Sequence, residues 1–307
     1  MTEELKNTIV TSRNDLSGVA RRNNDEIALV RQSLAELTAD DTTPVDDAEE
    51  DDRISVEAQL SEQKAALEVS QALFAQLQSL LQDEKIERLA VGTGKLSRED
   101  TSWTDELGPE WQPYIYTVND TSAPLHKTRN KGRKANAYLT YIIAYYHALP
   151  ELSVFVHAHR KGYPQAWHTE GIGNDIVDSL RRLNTAYVQA EGYANLRCNH
   201  SPGCNLEGRV QPSRHVNDTL PVDRDAATEL ASLDAWPELF PGVDVPADIA
   251  SACCAQFTRS TEHILKTPLE EYQRYHEWLM ETKMSDDISR RVMEYAWHII
   301  FGMEVVQ

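Results

Sequence analysis

Leu152 to Val156 (LSVFV) is a short run of branched and aromatic residues that stops abruptly in the polar stretch HAHRKGYPQAWH, ending at His168. An apolar run of this length, closed by Gly162 and Pro164, reads as a buried strand that opens into a loop. His157 and His159 are two apart, so if the strand continues through them both imidazoles share one face. In an open α/β sheet the crevice beyond the carboxyl end of a strand is where ligands bind. His157, His159 and His168, with Arg160 and Trp167 beside them, are therefore expected to form the floor of a site.

The segments before this strand fix its context. Tyr114 to Val118 (YIYTV) reads as a strand and Ala135 to His147 (ANAYLTYIIAYYH) as a helix with Tyr138, Leu139, Ile142, Ile143 and Tyr146 toward the core. Pro150 ends that helix, and the Leu152 strand comes next. This is a β-α-β unit, which favours a crossover connection between parallel strands. Between the first strand and the helix lies HKTRNKGRK, in which Lys127, Arg129, Lys131, Arg133 and Lys134 make five basic residues in eight. A basic loop at a helix N-terminus, where the dipole is positive, is expected to bind an anion.

Downstream, Ile172 to Leu183 reads as a helix, Gly192 to Cys198 as a strand, and residues 205 to 249, with five prolines, as mostly loop. Ala250 to Phe257 (ASACCAQF) reads as a strand in which Cys253 and Cys254 act as small buried hydrophobes. Ser260 caps a short helix, Pro268 starts another through Met280, and Ser285 to Phe301 forms the last. On that last helix Glu294 and His298 are four apart and share a face with Arg291 and Tyr295. A carboxylate beside an imidazole is a common acid/base pairing, and a satisfied buried pair is the competing reading. Cys198 and Cys204, with His200 between them, lack the four ligands of a structural zinc site, so no metal is assigned.

The N-terminal third is different in kind. Residues 2 to 38 and Ile54 to Leu89 carry apolar residues at helical spacing around an acidic stretch, Thr38 to Asp52, and are expected to form a helical hairpin that is structural or mediates a homo-oligomer. The domain organisation read from this is a hairpin over 1–91, a linker over 92–109 and an α/β domain over 110–307, with a Rossmann-like mixed or mostly parallel sheet flanked by helices. GTGK at Gly92 to Lys95 lacks the glycine spacing of a phosphate-binding loop.

Charge limits the partners. The net charge is −19, which argues against a protein that coats nucleic acid indiscriminately. The distribution is uneven: residues 1 to 100 carry 11 basic against 22 acidic side chains, and residues 126 to 182 carry 9 against 4. A polyanion docking on one face meets the local sign. No apolar run reaches the roughly 18 residues of a membrane span, and MTEELKNTIV has no signal-peptide pattern, so a cytoplasmic, membrane-free protein is expected.

Several of these segments together resemble a known family. NKGRKANAYLTYIIAYYHALPELSVFVHAH, the AWH of Ala166 to His168, GYANLRC with PGC, CCAQF and RRVMEYAWHIIFG are similar, in this order over roughly residues 110 to 303, to a fungal family catalogued as a domain of unknown function. Some members are identified as arginine-containing cyclodipeptide synthases, which close arginine and a second amino acid, both taken from aminoacyl-tRNAs, into a diketopiperazine. The resemblance implies an aminoacyltransferase that uses arginyl-tRNA and one other aminoacyl-tRNA, and no cofactor or metal. His157, His159, His168, Glu294 and His298 would supply base and donor roles, and Glu170, Asp175, Asp178 and Glu294 would pair with a guanidinium, with Arg160, Trp167 and Tyr295 around the substrate. Lys127, Arg129, Lys131, Arg133 and Lys134 would dock tRNA. Two departures stand out: Lys134 occupies a position where relatives often have Glu, and Arg290 one where they often have Gly. The alternatives are a glycosyltransferase-like α/β enzyme with a metal at His157 and His159, and a non-enzymatic binding or scaffold protein.

Overall fold

In a computed structural model the described residues are 89–306, apart from 128, 198, 200–209 and 213–223, together with the isolated positions 58, 61, 65 and 69. The chain divides into two compact units, of which the second, Glu87–Ile143 with Leu149–Gln307, holds the whole sheet. Ala58, Ser61, Ala65 and Val69 are helical and exposed, Ala65 included although its spacing predicts a place on an apolar stripe. The rest of the expected hairpin, its oligomerising role, and Cys198, His200 and Cys204 lie outside the described residues.

Five strands form one sheet in the order β2-β1-β3-β5-β4. They are β1 (Leu89–Lys95), β2 (Trp111–Thr117), β3 (Leu152–Phe155), β4 (Tyr193–Asn195) and β5 (Phe257–Ser260). β1 is parallel to both β2 and β3, whereas β5 runs antiparallel to β3 and to β4. The sheet is thus mixed with a parallel half, in the α/β class. β1 starts within the expected hairpin helix and ends within the expected linker. The stretch LAVGTGK, with two glycines, is a central strand instead, because pairing on both sides and burial on both faces reward small and apolar residues without alternation. Pro113 is tolerated because β2 is an edge strand.

The helices are α1 (Lys134–Tyr145), α2 (Ile176–Arg181), α3 (Thr185–Glu191), α4 (Arg224–Leu239), α5 (Thr261–Ile264), α6 (Leu269–Glu281) and α7 (Asp286–Ile300). α4 runs through a region expected to be mostly loop: its Ala-rich first turns favour helix even though Pro237 sits inside it. Along β3 the side chains alternate. Leu152, Val154 and Val156 join a cluster with Leu89, Val91, Trp103, Trp111, Ile176, Val177 and Leu180. On the opposite face Ser153 meets the Tyr141 hydroxyl at 3.0 Å, and Phe155 packs on Tyr138, Tyr141 and Phe257. Trp297 of α7 completes this aromatic layer against Tyr138 and Phe257.

The order of strands creates a switch point. β1 leads to β2 on one side, while the chain leaving β3 goes on to β4 on the other side of the sheet. The crevice beyond the carboxyl ends of β1 and β3 is where a ligand is expected in such a sheet. Gly94 admits the start of α1 to that end, since a β-carbon there would lie 3.0 Å from the Ala137 Cβ.

Candidate active site at the switch point

The register of β5 places the chain before it opposite the chain after β3. Phe155 pairs with Phe257, so Cys254 to Gln256 approach the sheet where His157 leaves it. The Gln256 side chain fixes this junction, accepting from the His157 backbone N–H at 3.0 Å and donating to the His168 carbonyl at 3.3 Å. Tyr138, from α1, donates to the Val156 carbonyl at 3.0 Å.

Three chain segments then converge on Cys254. Its carbonyl accepts from the Lys134 ammonium of α1 at 2.6 Å and lies 2.8 Å from His157 Nε2. Its N–H donates to Glu294 Oε1 of α7 at 2.5 Å. Lys134 Nζ also touches His157 Nε2 directly. The carbonyl can only accept, so Nε2 either donates to it or accepts from Lys134; the amine and the imidazole form a proton-sharing pair whose tautomer sets the direction. Lys134, His157, Cys254 and Glu294 are all only partly buried, so the group opens to a cleft.

Burial shapes the electrostatics. Desolvation brings the Lys134 amine down to about 8, opposed by Glu294 and reinforced by Arg290 and Arg133. His157 is pushed well below its ordinary range by burial and then by Lys134 and His168. His168 falls to about 4 through burial, with Lys134, His159 and Arg197 adding to the effect. Both rings are neutral at pH 7. They meet edge to face with centroids 4.0 Å apart, and His168 Nε2 is buried without a partner. A neutral imidazole with an unused nitrogen beside a near-neutral amine can donate to a developing oxyanion while the amine takes a proton.

The other expected site residues scatter around this centre. β3 ends at Phe155, so period-2 alternation does not carry to His159. Its Nε2 faces Glu99 at 3.8 Å while His157 Nε2 meets the Cys254 carbonyl, and among the described residues no group of three or more His, Cys, Asp or Glu side chains could hold a metal. His298 is fully buried with Nε2 3.2 Å from the Val305 carbonyl, and burial holds it down to about 4. It shares a helix face with Glu294 but is sealed from solvent. Tyr295 is buried on α7.

Three of the four expected guanidinium partners are engaged by the chain's own cations. Asp175 caps α2, accepting from Val177 N–H, and pairs with Arg160 at 3.3 Å; Arg160 also reaches Glu106 at 3.1 Å. Asp178 pairs with Arg182 at 3.0 Å, and Glu170 lies 3.9 Å from Arg197. The Arg197 guanidinium stacks over Trp167, 4.8 Å from its centroid, and Trp167 stands edge-on to His168 as the exposed wall of the cleft. Glu294 is the carboxylate that enters the centre itself.

The basic run divides in a way its composition does not reveal. Lys127 and Lys131 are buried, the first bonded to Thr140 Oγ1 and the second donating to the Met284 carbonyl at 2.5 Å and facing Asp286 at 3.7 Å. Both are bonded within the fold, whereas the docking expectation gave all five basic residues to tRNA. Arg129 and Arg133 stay exposed, Arg133 pairing with Asp287 at 2.8 Å. Lys134 turns into the cleft. The Cys254 peptide and Gln256 escape sequence reasoning as site elements, since CCAQF reads as plain strand; Cys253 and Cys254, expected to be separate hydrophobes, are joined in a disulfide.

Comparison with known proteins adds the family. The family described as "Protein of unknown function (DUF3431)" matches residues 91–307, which include every element of this site. The chain belongs to the DUF3431 family. Its match begins within β1, so the strand that reads as hairpin and linker is family territory. No curated protein and no solved structure matches the chain significantly. Among the described residues no helix is long and apolar enough to cross a membrane.

Proposed function

We propose that the switch-point crevice is the active site of an aminoacyltransferase that joins arginine and a second amino acid from aminoacyl-tRNAs into a cyclic dipeptide. The observation that carries the reading is the contact of the Lys134 amine, lowered to about 8 by burial, with His157, beside the carboxylate of Glu294. An aminoacyl ester is already activated, so the chemistry it needs is proton transfer and oxyanion stabilisation, which this group of side chains is suited to supply. The resemblance of the motifs around His157, His168 and Glu294 supports the choice of substrates, while Lys134 stands where relatives often have Glu.

In this mechanism the neutral Lys134 amine, relayed by His157, removes a proton from the α-ammonium of one aminoacyl group. The freed amine attacks the ester carbonyl of the other, and the oxyanion that forms faces His168 Nε2. The tetrahedral species collapses as the ribose oxygen leaves with the proton held by Lys134, which then takes the second proton of the attacking nitrogen and passes it to solvent, and a second attack of the same kind closes the six-membered ring and releases the second tRNA. Glu294, already aimed at the cleft, receives the guanidinium. The test is incubation of the purified chain with arginyl-tRNA and a mixture of other aminoacyl-tRNAs, with the products read by mass spectrometry. A tRNA-dependent, arginine-containing diketopiperazine is expected; its absence with every pairing, from a folded protein, overturns the reading.

A further inference from the structure

Cys253 and Cys254 are neighbours in the chain and are joined by a disulfide, which closes a small ring through their shared peptide bond. Cys254 and the next residue, Ala255, both have positive φ, 86° and 48°. Residues with a β-carbon take up this conformation only where their surroundings impose it, and such positions gather at functional sites. The site converges on the residue that closes this ring: the Cys254 N–H, inside the ring, is held by Glu294 at 2.5 Å, and the Cys254 carbonyl, in the next peptide, receives Lys134 at 2.6 Å and lies 2.8 Å from His157.

We propose that the Cys253–Cys254 disulfide is a reducible modification site that sets the working state of the crevice by deciding whether Glu294 is held by the Cys254 peptide or released to Lys134. The inference rests on the reading of Lys134 as the base of this site. Reduction is by a dithiol reductant: its thiolate attacks one sulfur, the mixed disulfide is resolved by its second thiol, the sulfur–sulfur bond is replaced by two S–H bonds, and the reductant leaves as its own disulfide. With the ring open, Cys254 is free to return to ordinary negative φ, and its N–H turns away from Glu294.

The consequence for charge depends on the groups around Lys134. Arg133 stands next to it in the chain, Arg290 and Glu294 face it from α7, His157 from the end of β3 and His168 from the loop beyond. Of these Glu294 alone carries negative charge. While it is tied to the Cys254 N–H its attraction for the ammonium is shared; once released, it pairs with Lys134 and favours the charged amine. The oxidised site then holds an amine that gives up its proton near pH 8, and the reduced site a paired lysine that keeps its proton to higher pH.

The experiment uses the full chain in oxidised form and after treatment with dithiothreitol. Mass spectrometry of the peptide spanning Cys253 and Cys254 reports the bridge, which makes the peptide lighter by two hydrogens. Acetic anhydride labelling of Lys134, followed across pH, reports the amine. Reduction is expected to raise the midpoint of Lys134 labelling by about one unit, with a severalfold slower reaction at pH 8. Cys253→Ser should show the higher midpoint under both conditions. Two free thiols in the oxidised protein, or the same midpoint in both states, would overturn the proposal. If the variant does not fold, the oxidised and reduced wild type decide alone. Labelling needs no turnover, so failure to make a cyclic dipeptide would sink the functional reading and leave this result standing.

Discussion

Lys127 to Arg133 and Lys134 belong to one basic run, yet they have opposite fates. The first part is spent on architecture. Lys131 and the Gly132 N–H tie the entry to α1 onto the start of α7, through the Met284 carbonyl and Asp286, and Arg133 reaches Asp287. One residue later Lys134 begins α1 and points into the crevice beside His157. The latch and the base are therefore mechanically connected: fixing the α7 N-terminus to the α1 N-terminus also fixes the register that brings Glu294, two turns along α7, to the peptide that Lys134 touches. A cluster of like charges in a sequence says where cations are, and only the fold says which of them remain available.

The sharpest way to break this comparison is at Lys134 itself. Lys134→Arg keeps the positive charge but cannot release a proton near neutral pH, and is expected to lower the rate of product formation about 10²- to 10⁴-fold with an unchanged circular dichroism spectrum. Glu294→Gln should be comparably severe, since the amide keeps the shape and loses the charge. A fully active Lys134→Arg would remove the lysine from the chemistry and return it to the structural group.

The pH dependence has a definite sign. A base that works unprotonated gives kcat/KM rising as pH passes through about 8. The same shift affects stability, because the unfolded lysine stays protonated up to about 10.5 while the folded one does not. Between these values the unfolded state binds more protons, so the penalty for burying the amine is fully present below about 8 and is relieved as pH climbs to 10.5. Chemical denaturation at a series of pH values should show this rise in the wild type; an equal rise in Lys134→Met would assign it to another group.

On the structural side, Lys127→Met and Lys131→Met should each lower stability by about 1–3 kcal/mol, by breaking bonds of buried charged groups. Retained stability in both would show that the latch is not a latch. His298→Asn is expected to act in the same range, losing the contact with Val305 while turnover per folded molecule stays within a few fold. Smallest in stability is the pair Arg129→Ala and Arg133→Ala, within about 0.5 kcal/mol because both are exposed. If these two contact phosphates, the salt dependence of tRNA binding should flatten by a slope of about two, and an unchanged slope would place docking elsewhere.

Much of this fold is legible in the sequence because long periodic segments carry strong signals. The last helix, expected over Ser285 to Phe301, occupies Asp286–Ile300, and β3 begins at its expected start. β1 is hidden because a buried parallel strand shows no alternation and its two glycines resemble a linker. β5 is displaced: the apolar CCAQ is an irregular approach and the strand begins at Phe257. For the site, residue types on either side of β3 are legible, and so is Glu294. The role of the Cys254 backbone is not, since a carbonyl and an N–H carry no letter in a sequence; their placement depends on the chain between His157 and Cys254, 97 positions apart, folding back into register.

The reversed direction of β5 has a consequence for when this centre comes into being. A wholly parallel sheet would collect its site from loops that follow strands, in the order they are synthesised. Here one wall arrives on a strand's approach, and the carboxylate arrives later still, on α7. During synthesis β1 to β4 leave the ribosome long before Glu294, and loop closure over such separations is slow. A nascent chain halted before α7 carries Lys134 and His157 without the carboxylate that completes their group, so the candidate site is assembled only when the last helix docks.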